Sequence, residues 1–80
     1  MTDITISGTI EVQDNTGQNY TLNGSELTRD EHFDGTTKTI GHDTGEWSIK
    51  IDVEKKNGVI STGDWIVENC AIVKENIIFR

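Results

Sequence analysis

The sequence predicts an all-β fold, either a small antiparallel β-sandwich or a partly closed β-barrel, with about six or seven short strands built from hairpins. Ile and Val supply 16 of the 80 residues and Thr another 11, whereas Leu and Ala together supply three. β-branched side chains suit a pleated, half-buried surface, and Ala and Leu are the residues that helices prefer. Apolar and polar residues also alternate with a period of two, and Gly-containing turn sequences separate the alternating stretches. A chain of this length is expected to form one domain, residues 1–80.

The first alternating stretch predicts a β-hairpin of residues 4–13 with residues 18–23. Its apolar residues fall on one face: Ile4, Ile6, Ile10 and Val12. Gly8, in the middle of the stretch, contributes no side-chain packing and predicts a bend or bulge. The turn sequence at 14–17 then leads into a second alternating stretch.

The interval from Ser25 to Ile40 has no clear alternation. Thr28 and Glu31 match a capping box, in which a hydroxyl residue begins a helix and a Glu follows three residues later. This pattern predicts at most one short helical turn near residues 28–34. The polar stretch from Thr36 to Ile40 is expected to form a short strand at the edge of a sheet.

The second strong alternation lies near the middle of the chain. It places four apolar residues on one face: Trp47, Ile49, Ile51 and Val53. Asn57-Gly58 follows, and Asn-Gly between apolar stretches is the strongest short signal for a two-residue hairpin. Residues 59–61 are therefore expected to form the returning strand.

The last third of the chain differs because apolar residues occur on both faces from Trp65 to Val73. This pattern predicts the most buried strand of the fold, with a bulge where Glu68-Asn69 interrupts both faces. Lys74-Glu75-Asn76 is expected to form a tight turn, after which residues 77–79 pair back.

Composition and charge exclude several classes of function. No apolar run approaches the roughly 20 residues that cross a bilayer, so no membrane association is expected. Fourteen acidic residues against seven basic ones give a net charge of −7, which opposes direct binding of nucleic acid. The chain opens without a basic segment followed by an apolar one, and a cytoplasmic location is expected. No cofactor is predicted.

The two histidines are weak candidates for metal ligands. His32 lies among Asp30, Glu31 and Asp34, while His42 precedes another carboxylate, so the two loops together would supply nitrogen and oxygen ligands. Their spacing matches no metal-binding motif. Two solvated loop histidines are therefore the favoured interpretation, and no metal site is predicted.

No set of residues predicts an enzyme. Asp43-Thr44-Gly45 spells the signature tripeptide of aspartic proteases, but the turn-forming Gly41-His42 before it and the nearby Glu46 argue against that geometry. Cys70, the single cysteine, is expected to be buried and inert, and it excludes an internal disulfide. Both tryptophans fall in phase with aliphatic residues and are expected to belong to the core, although stacking on a sugar or a base is the alternative.

The acidic surface is the remaining functional feature. Glu46, Asp52 and Glu54 are expected to share the outer face of one strand, and Asp30, Glu31 and Asp34 form a second acidic cluster. Such carboxylates suit a basic patch on a protein partner. The prediction is a non-enzymatic acidic binding module that docks on, and perhaps inhibits, a protein partner, of the bacterial or phage accessory, immunity or anti-defence type. The alternatives are a small ligand-binding or oligomeric domain with a pocket between subunits, a structural subunit of a larger assembly, and a face that only solubilises the chain.

Overall fold

The computed structural model describes residues 4–31 and 37–80 of the protein. Within these residues the chain forms eight strands and one 3₁₀ turn: β1 (Ile6–Asp14), β2 (Asn19–Asn23), the turn Gly24–Glu26, β3 (Thr28–Glu31), β4 (Thr37–Asp43), β5 (Ser48–Lys56), β6 (Val59–Thr62), β7 (Ile66–Glu68) and β8 (Cys70–Phe79). They build two antiparallel sheets with strand orders β2-β1-β8 and β3-β4-β5-β6, and β7 also pairs with β5. The predicted all-β class is confirmed, and over the described residues the sheets do not close into a barrel.

The three-stranded sheet contains the predicted first hairpin, since β1 pairs with β2 from Thr9 opposite Asn23 to Gln13 opposite Asn19. Gly8 has a positive φ of 87°, and a Cβ there would collide with the carbonyl oxygen of Asn76 in β8. The pairing of β1 with β8 runs through Gly8 without a register shift, so the predicted bulge does not lie there, and the glycine instead permits the close approach of two backbones.

The five-stranded sheet is built around β5, whose inner face bears the predicted apolar row. Ile49, Ile51 and Val53 are buried, and Trp47 just before the strand is 5% exposed. Asn57 and Gly58 have positive φ values of 53° and 78°, the conformation that a two-residue type I′ hairpin requires. The predicted hairpin into the returning strand β6 is confirmed.

Two predictions for the middle of the chain are wrong. Thr28–Glu31 is a strand, because its backbone pairs with β4 and this pairing overrides a local capping pattern. The helical turn lies earlier, at Gly24–Glu26, where Glu26 Oε2 accepts a hydrogen bond of 3.1 Å from the Asn23 backbone N–H. The polar strand beginning near Thr37 is not an edge strand, since β4 lies between β3 and β5. Residues 32–34 and Thr36 lie outside the described residues.

The C-terminal strands also differ from the prediction. The sequence predicted a bulge at Glu68-Asn69. Asn69 does have a positive φ of 59°, but the chain at this residue passes from the five-stranded sheet to the three-stranded one. The tight turn predicted at 74–76 is absent, because these residues lie within β8 and pair with β1. A register shift between Glu11 and Val12 makes Val73 an extra, bulged residue in β8.

The core lies between the sheets, and its fully buried side chains include Ile4, Ile10, Val12, Ile40, Ile49 and Val53. The stretch from Trp65 to Val73 is not the most buried strand. Ile66 and Val73 are 56% and 55% exposed, and Val67 is 39% exposed. The prediction assumed that a strand with apolar residues on both faces is covered on both faces. The strands in this stretch, β7 and β8, lie instead at the edges of their sheets.

No helix in the described residues has the length and apolar character needed to cross a membrane.

Candidate functional site

The outer face of the five-stranded sheet brings together three of the predicted partner-binding carboxylates. Asp30 on β3 pairs with Thr39 on β4, and Thr39 pairs with Asp52 on β5, so the three form one row across the strands. Thr39 Oγ1 donates a hydrogen bond of 2.9 Å to Asp52 Oδ1, and Thr37 Oγ1 donates one of 3.4 Å to Glu54 Oε2. We call Asp30, Asp52 and Glu54 the acidic sheet face. Threonine donors on the neighbouring strand thus orient two of its three carboxylates.

A depression of about 260 Å³ adjoins this face where Gly41 occupies the position between Thr28 and Lys50. No side chain rises there, and a Cβ on Gly41 would collide with the carbonyl oxygen of Ile49. The Thr28 hydroxyl donates a hydrogen bond of 3.1 Å to the Gly41 carbonyl oxygen. The charged side chains around the depression are those of Asp30, Asp43, Glu68 and Lys50. Three carboxylates and one ammonium group make it suited to a cationic side chain.

Glu46 does not lie on the acidic sheet face. It occupies the turn between β4 and β5, where its backbone N–H donates to Thr44 Oγ1 at 3.1 Å and its carbonyl oxygen accepts from Asn69 Nδ2 at 3.2 Å. The alternation that grouped Glu46 with Asp52 does not extend into this turn. Glu31 lies on β3 at the position after Asp30, and Asp34 lies outside the described residues.

An aromatic cluster closes the end of the sandwich beside this turn. The Trp47 ring lies 5.2 Å from the Tyr20 ring and 5.6 Å from the His42 ring, centroid to centroid. The Tyr20 hydroxyl donates to Asp14 Oδ2 at 3.0 Å, and this hydrogen bond, with burial and the negative charge of Asp14, raises the pKa of Tyr20. The expectation of a solvated loop histidine is wrong for His42, which is half-buried on β4 against Trp47.

No group of three or more His, Cys, Asp or Glu side chains in the described part of the chain is arranged to hold a metal ion. His32 lies outside that part, so the metal hypothesis involving both histidines stays untested. The Asp43-Thr44-Gly45 tripeptide forms a turn in which Asp43 Oδ1 accepts the Gly45 backbone N–H at 2.8 Å.

Cys70 is half-buried, and its thiol donates to the Ser48 carbonyl oxygen at 3.4 Å. Burial raises the pKa of the Cys70 thiol, which favours the unreactive protonated form.

Sequence reasoning missed a cleft of about 590 Å³ between the edge strands of the two sheets, whose charged lining residues are Asp64 and Glu75. Its apolar walls are Ile51, Ile60, Trp65, Ile77, Ile78 and Phe79. Trp65 is half-buried there, whereas Trp47 belongs to the core as predicted. The signal for this cleft was the run of apolar residues on both faces after residue 64, which was interpreted as burial within the fold.

No protein-family model, no curated protein and no solved structure matches the chain. A functional conclusion therefore depends on the chemistry of the chain's own surface.

Proposed function

We propose that the protein is a non-enzymatic binding module that docks the outer face of its five-stranded sheet on a basic surface of a partner protein. The observation that carries the proposal is the row formed by Asp30, Thr39 and Asp52, which presents carboxylates from two strands on one face. Glu54 extends this face along β5.

The spacing of these carboxylates suits several basic side chains at once. Asp30 and Asp52 are two strand spacings apart, about 9.6 Å between backbones, and Asp52 and Glu54 are about 6.6 Å apart along β5. A rigid sheet holds these distances in the free protein, so little ordering accompanies binding. The depression over Gly41 offers a place for one lysine or arginine of the partner.

The charge of the whole chain selects the class of partner. A net charge of −7 attracts basic proteins and increases their rate of encounter, while it repels the phosphates of nucleic acids. An acidic face of this kind competes with nucleic acid for a basic protein patch. This action supports an inhibitory role of the bacterial or phage accessory, immunity or anti-defence type, exerted in the cytoplasm.

The test is a quantitative pull-down from bacterial extract with three forms of the protein. The face variant carries Asp30→Asn, Asp52→Asn and Glu54→Gln, and the matched control carries Glu11→Gln, Glu46→Gln and Asp64→Asn on other surfaces. At about 0.5 kcal/mol per exposed charge pair, the face variant is expected to capture its partner roughly tenfold more weakly, with little change for the control.

Salt provides the second arm of this experiment. Capture by the unmodified protein is expected to fall strongly between about 0.1 M and about 1 M NaCl, because exposed charge pairs are screened at the higher concentration. Capture that survives the higher salt, or equal losses for the two variants, would contradict docking through the acidic sheet face.

A further inference from the structure

The cleft between the edge strands of the two sheets opens onto the core. Ile51 on β5 and Ile77 on β8 line it and are only 4% and 9% exposed. Trp65 and Phe79 line it as well, and both rings pack against the core but are only half-buried. At about 590 Å³ the cleft has the size of a small-molecule site, and such sites are lined mainly by apolar and aromatic side chains.

A backbone bulge forms the wall of the cleft that bears Trp65. Residues 63–65 stand opposite only two residues of β5, so they form a bulge between β6 and β7. The Gly63 backbone N–H donates to the Asp52 carbonyl oxygen at 2.9 Å, which holds the start of the bulge against β5. Bulges change the direction of the side chains that follow them, and here Asp64 and Trp65 both line the cleft. The bulge thus brings a carboxylate and an aromatic ring to the same wall.

The second carboxylate of the cleft lies on the inner face of the three-stranded sheet. Glu75 of β8 is directly opposite Ile10 of β1, and residues directly opposite each other in an antiparallel pair have their side chains on the same face. Ile10 is fully buried, whereas Glu75 is exposed where the cleft opens to water. Alternation along β8 places Ile77 and Phe79 on that face too. An acidic side chain therefore occupies one position in a row of core residues.

Charge and aromatic surface select the class of ligand. The charged side chains that line the cleft are those of Asp64 and Glu75, and both are acidic. An ammonium group near them is attracted by two negative charges, and a cation also binds favourably against the face of a tryptophan ring. An anionic ligand is repelled by the same carboxylates and by the net charge of −7.

We propose that this cleft binds a small organic cation, an ammonium ion that carries an aromatic or branched apolar group. The apolar group enters the cleft and contacts Trp65 and Phe79, while the ammonium group stays at the mouth with Asp64 and Glu75. Both carboxylates are exposed, so the ammonium group keeps part of its hydration and pairing incurs little desolvation. The carboxylates of the acidic sheet face do not line this cleft, so the site is separate from the proposed docking face.

A charge on the inner face of an edge strand has another use, since it hinders pairing with the edge of a second chain. That role requires a charge at Glu75, but it requires neither a half-buried tryptophan nor a second carboxylate on the other wall. It also predicts no preference for ligands of one charge. The charge of the ligand therefore separates the two roles.

A matched series of ligands tests the proposal: the cation phenethylamine, the neutral phenethyl alcohol and the anion phenylpropionate, which share a phenyl ring and a short chain. The two tryptophans give two indole N–H signals in a proton–nitrogen correlation spectrum, and Trp65→Phe assigns them. With up to about 10 mM ligand at constant ionic strength, phenethylamine is expected to shift the Trp65 signal and to leave that of Trp47 in place. It should bind about tenfold more tightly than the alcohol, and the anion should not bind.

A second comparison tests the apolar part of the site. Ethylammonium carries the same charge as phenethylamine but lacks the ring. It is expected to bind at least about tenfold more weakly, because it leaves the apolar surface of the cleft in contact with water.

The double variant Asp64→Asn with Glu75→Gln is expected to bind phenethylamine about tenfold more weakly and the alcohol as the unmodified chain does, because it removes two charges. The matched control Asp30→Asn with Glu54→Gln removes the same charge from the acidic sheet face. It should bind phenethylamine within about twofold of the unmodified chain, because distant exposed charges are screened.

A folding control accompanies the cleft variant. Because Asp64 and Glu75 are both exposed, the variant should keep the far-ultraviolet circular dichroism of the unmodified chain and unfold cooperatively. A loss of amine binding then reports on the cleft itself.

Equal affinities for phenethylamine and the alcohol, no shift of the Trp65 signal, or full affinity for the amine in the folded cleft variant would overturn the proposal. A loss of amine binding in the acidic-face control, with none in the cleft variant, would also overturn it and would assign the cation to the docking face.

Discussion

At the scale of single residues, Gly41 links the fold to the candidate site. It forms the floor of the depression on the outer face, and its backbone lies so close to β5 that a Cβ would collide with the Ile49 carbonyl oxygen. Ile49 is itself buried, and it is paired with His42 of β4 on one side and with Val67 of β7 on the other. Packing thus explains the absence of a side chain, and that absence leaves the depression open.

The first prediction follows from this contact. Gly41→Ala is expected to lower the free energy of unfolding by about 2–3 kcal/mol, as overpacking of a dense interior does. Gly63→Ala is the matched control, since a Cβ there comes no closer than 3.9 Å to the Asp52 carbonyl oxygen. Urea denaturation of both variants measures the difference, and equal stabilities would show that β4 and β5 can separate at Gly41.

Asp14 is the second residue with a defined structural role. Its Oδ1 accepts hydrogen bonds from the Thr16 hydroxyl at 2.6 Å and from the Thr16 and Gln18 backbone N–H groups, and its Oδ2 accepts one from Tyr20. These bonds, led by the Thr16 hydroxyl and opposed by burial, hold the pKa of Asp14 below its usual value of 3.8.

The direction of this shift predicts a pH dependence. A carboxyl group with a lowered pKa in the folded state stabilises the fold above its unfolded pKa, and this contribution is lost as the pH falls through the folded pKa. The Tm advantage of the unmodified chain over Asp14→Asn is therefore expected to be constant above about pH 5 and to shrink below about pH 4. Asp64→Asn, on the exposed bulge, is the control. An advantage that persists unchanged into strong acid would contradict this role for Asp14.

At the scale of secondary structure, sequence reasoning succeeded where one face of a strand is covered and the other is wet. The alternation in residues 4–13 and 47–53 predicted the buried faces of β1 and β5. Asn57-Gly58 predicted the hairpin that joins β5 to β6. In these strands the period-two pattern and the local turn chemistry agree with the tertiary fold.

The failures occurred where long-range pairing decides the outcome. Thr28–Glu31 carries a helix-start pattern, but pairing with β4 makes it a strand. The polar residues at 74–76 look like a turn, yet Lys74 lies opposite Glu11 of β1, a pairing that suits opposite charges.

The acidic sheet face was predicted in part, since Asp52 and Glu54 share one strand. The position of Asp30 beside them depends on the β3–β4 register, which the sequence does not encode locally.

The passage between sheets at Asn69 supports a third prediction. Asn69 holds a positive φ of 59°, and its side-chain amide donates to the Glu46 carbonyl oxygen. Asn69→Ala is expected to lower stability by about 1–2 kcal/mol, because alanine tolerates the left-handed conformation less well than asparagine does and the hydrogen bond is lost. Asn69→Gly loses only the hydrogen bond and should be less destabilising. Denaturation midpoints at unchanged m value test this order, and the reverse order would show that φ at Asn69 does not limit stability.

At the scale of the whole molecule, a small apolar core supports a strongly charged surface. Only 32% of the residues are hydrophobic, and five of the large ones remain exposed on the C-terminal strands. Net charge of one sign destabilises a compact state through self-repulsion. In this chain the repulsion is concentrated in residues 1–58, which include the acidic sheet face and carry six of the seven net negative charges.

The last prediction follows from that distribution. Raising NaCl from about 0.01 M to about 0.15 M shortens the screening length from about 30 Å to about 8 Å, so the Tm of the dilute protein is expected to rise by a few degrees. The face variant Asp30→Asn, Asp52→Asn, Glu54→Gln should have a higher Tm at low salt and a smaller response. The control Glu75→Gln, Glu46→Gln, Asp64→Asn has the same net charge, but its sites are dispersed over β8, a turn and a bulge, so it should gain less. A Tm that is flat with salt, or equal for both variants, would contradict clustered repulsion. If the acidic sheet face does lower the stability of so small a domain, its carboxylates are not explained by folding, which is the result that the proposed docking role predicts.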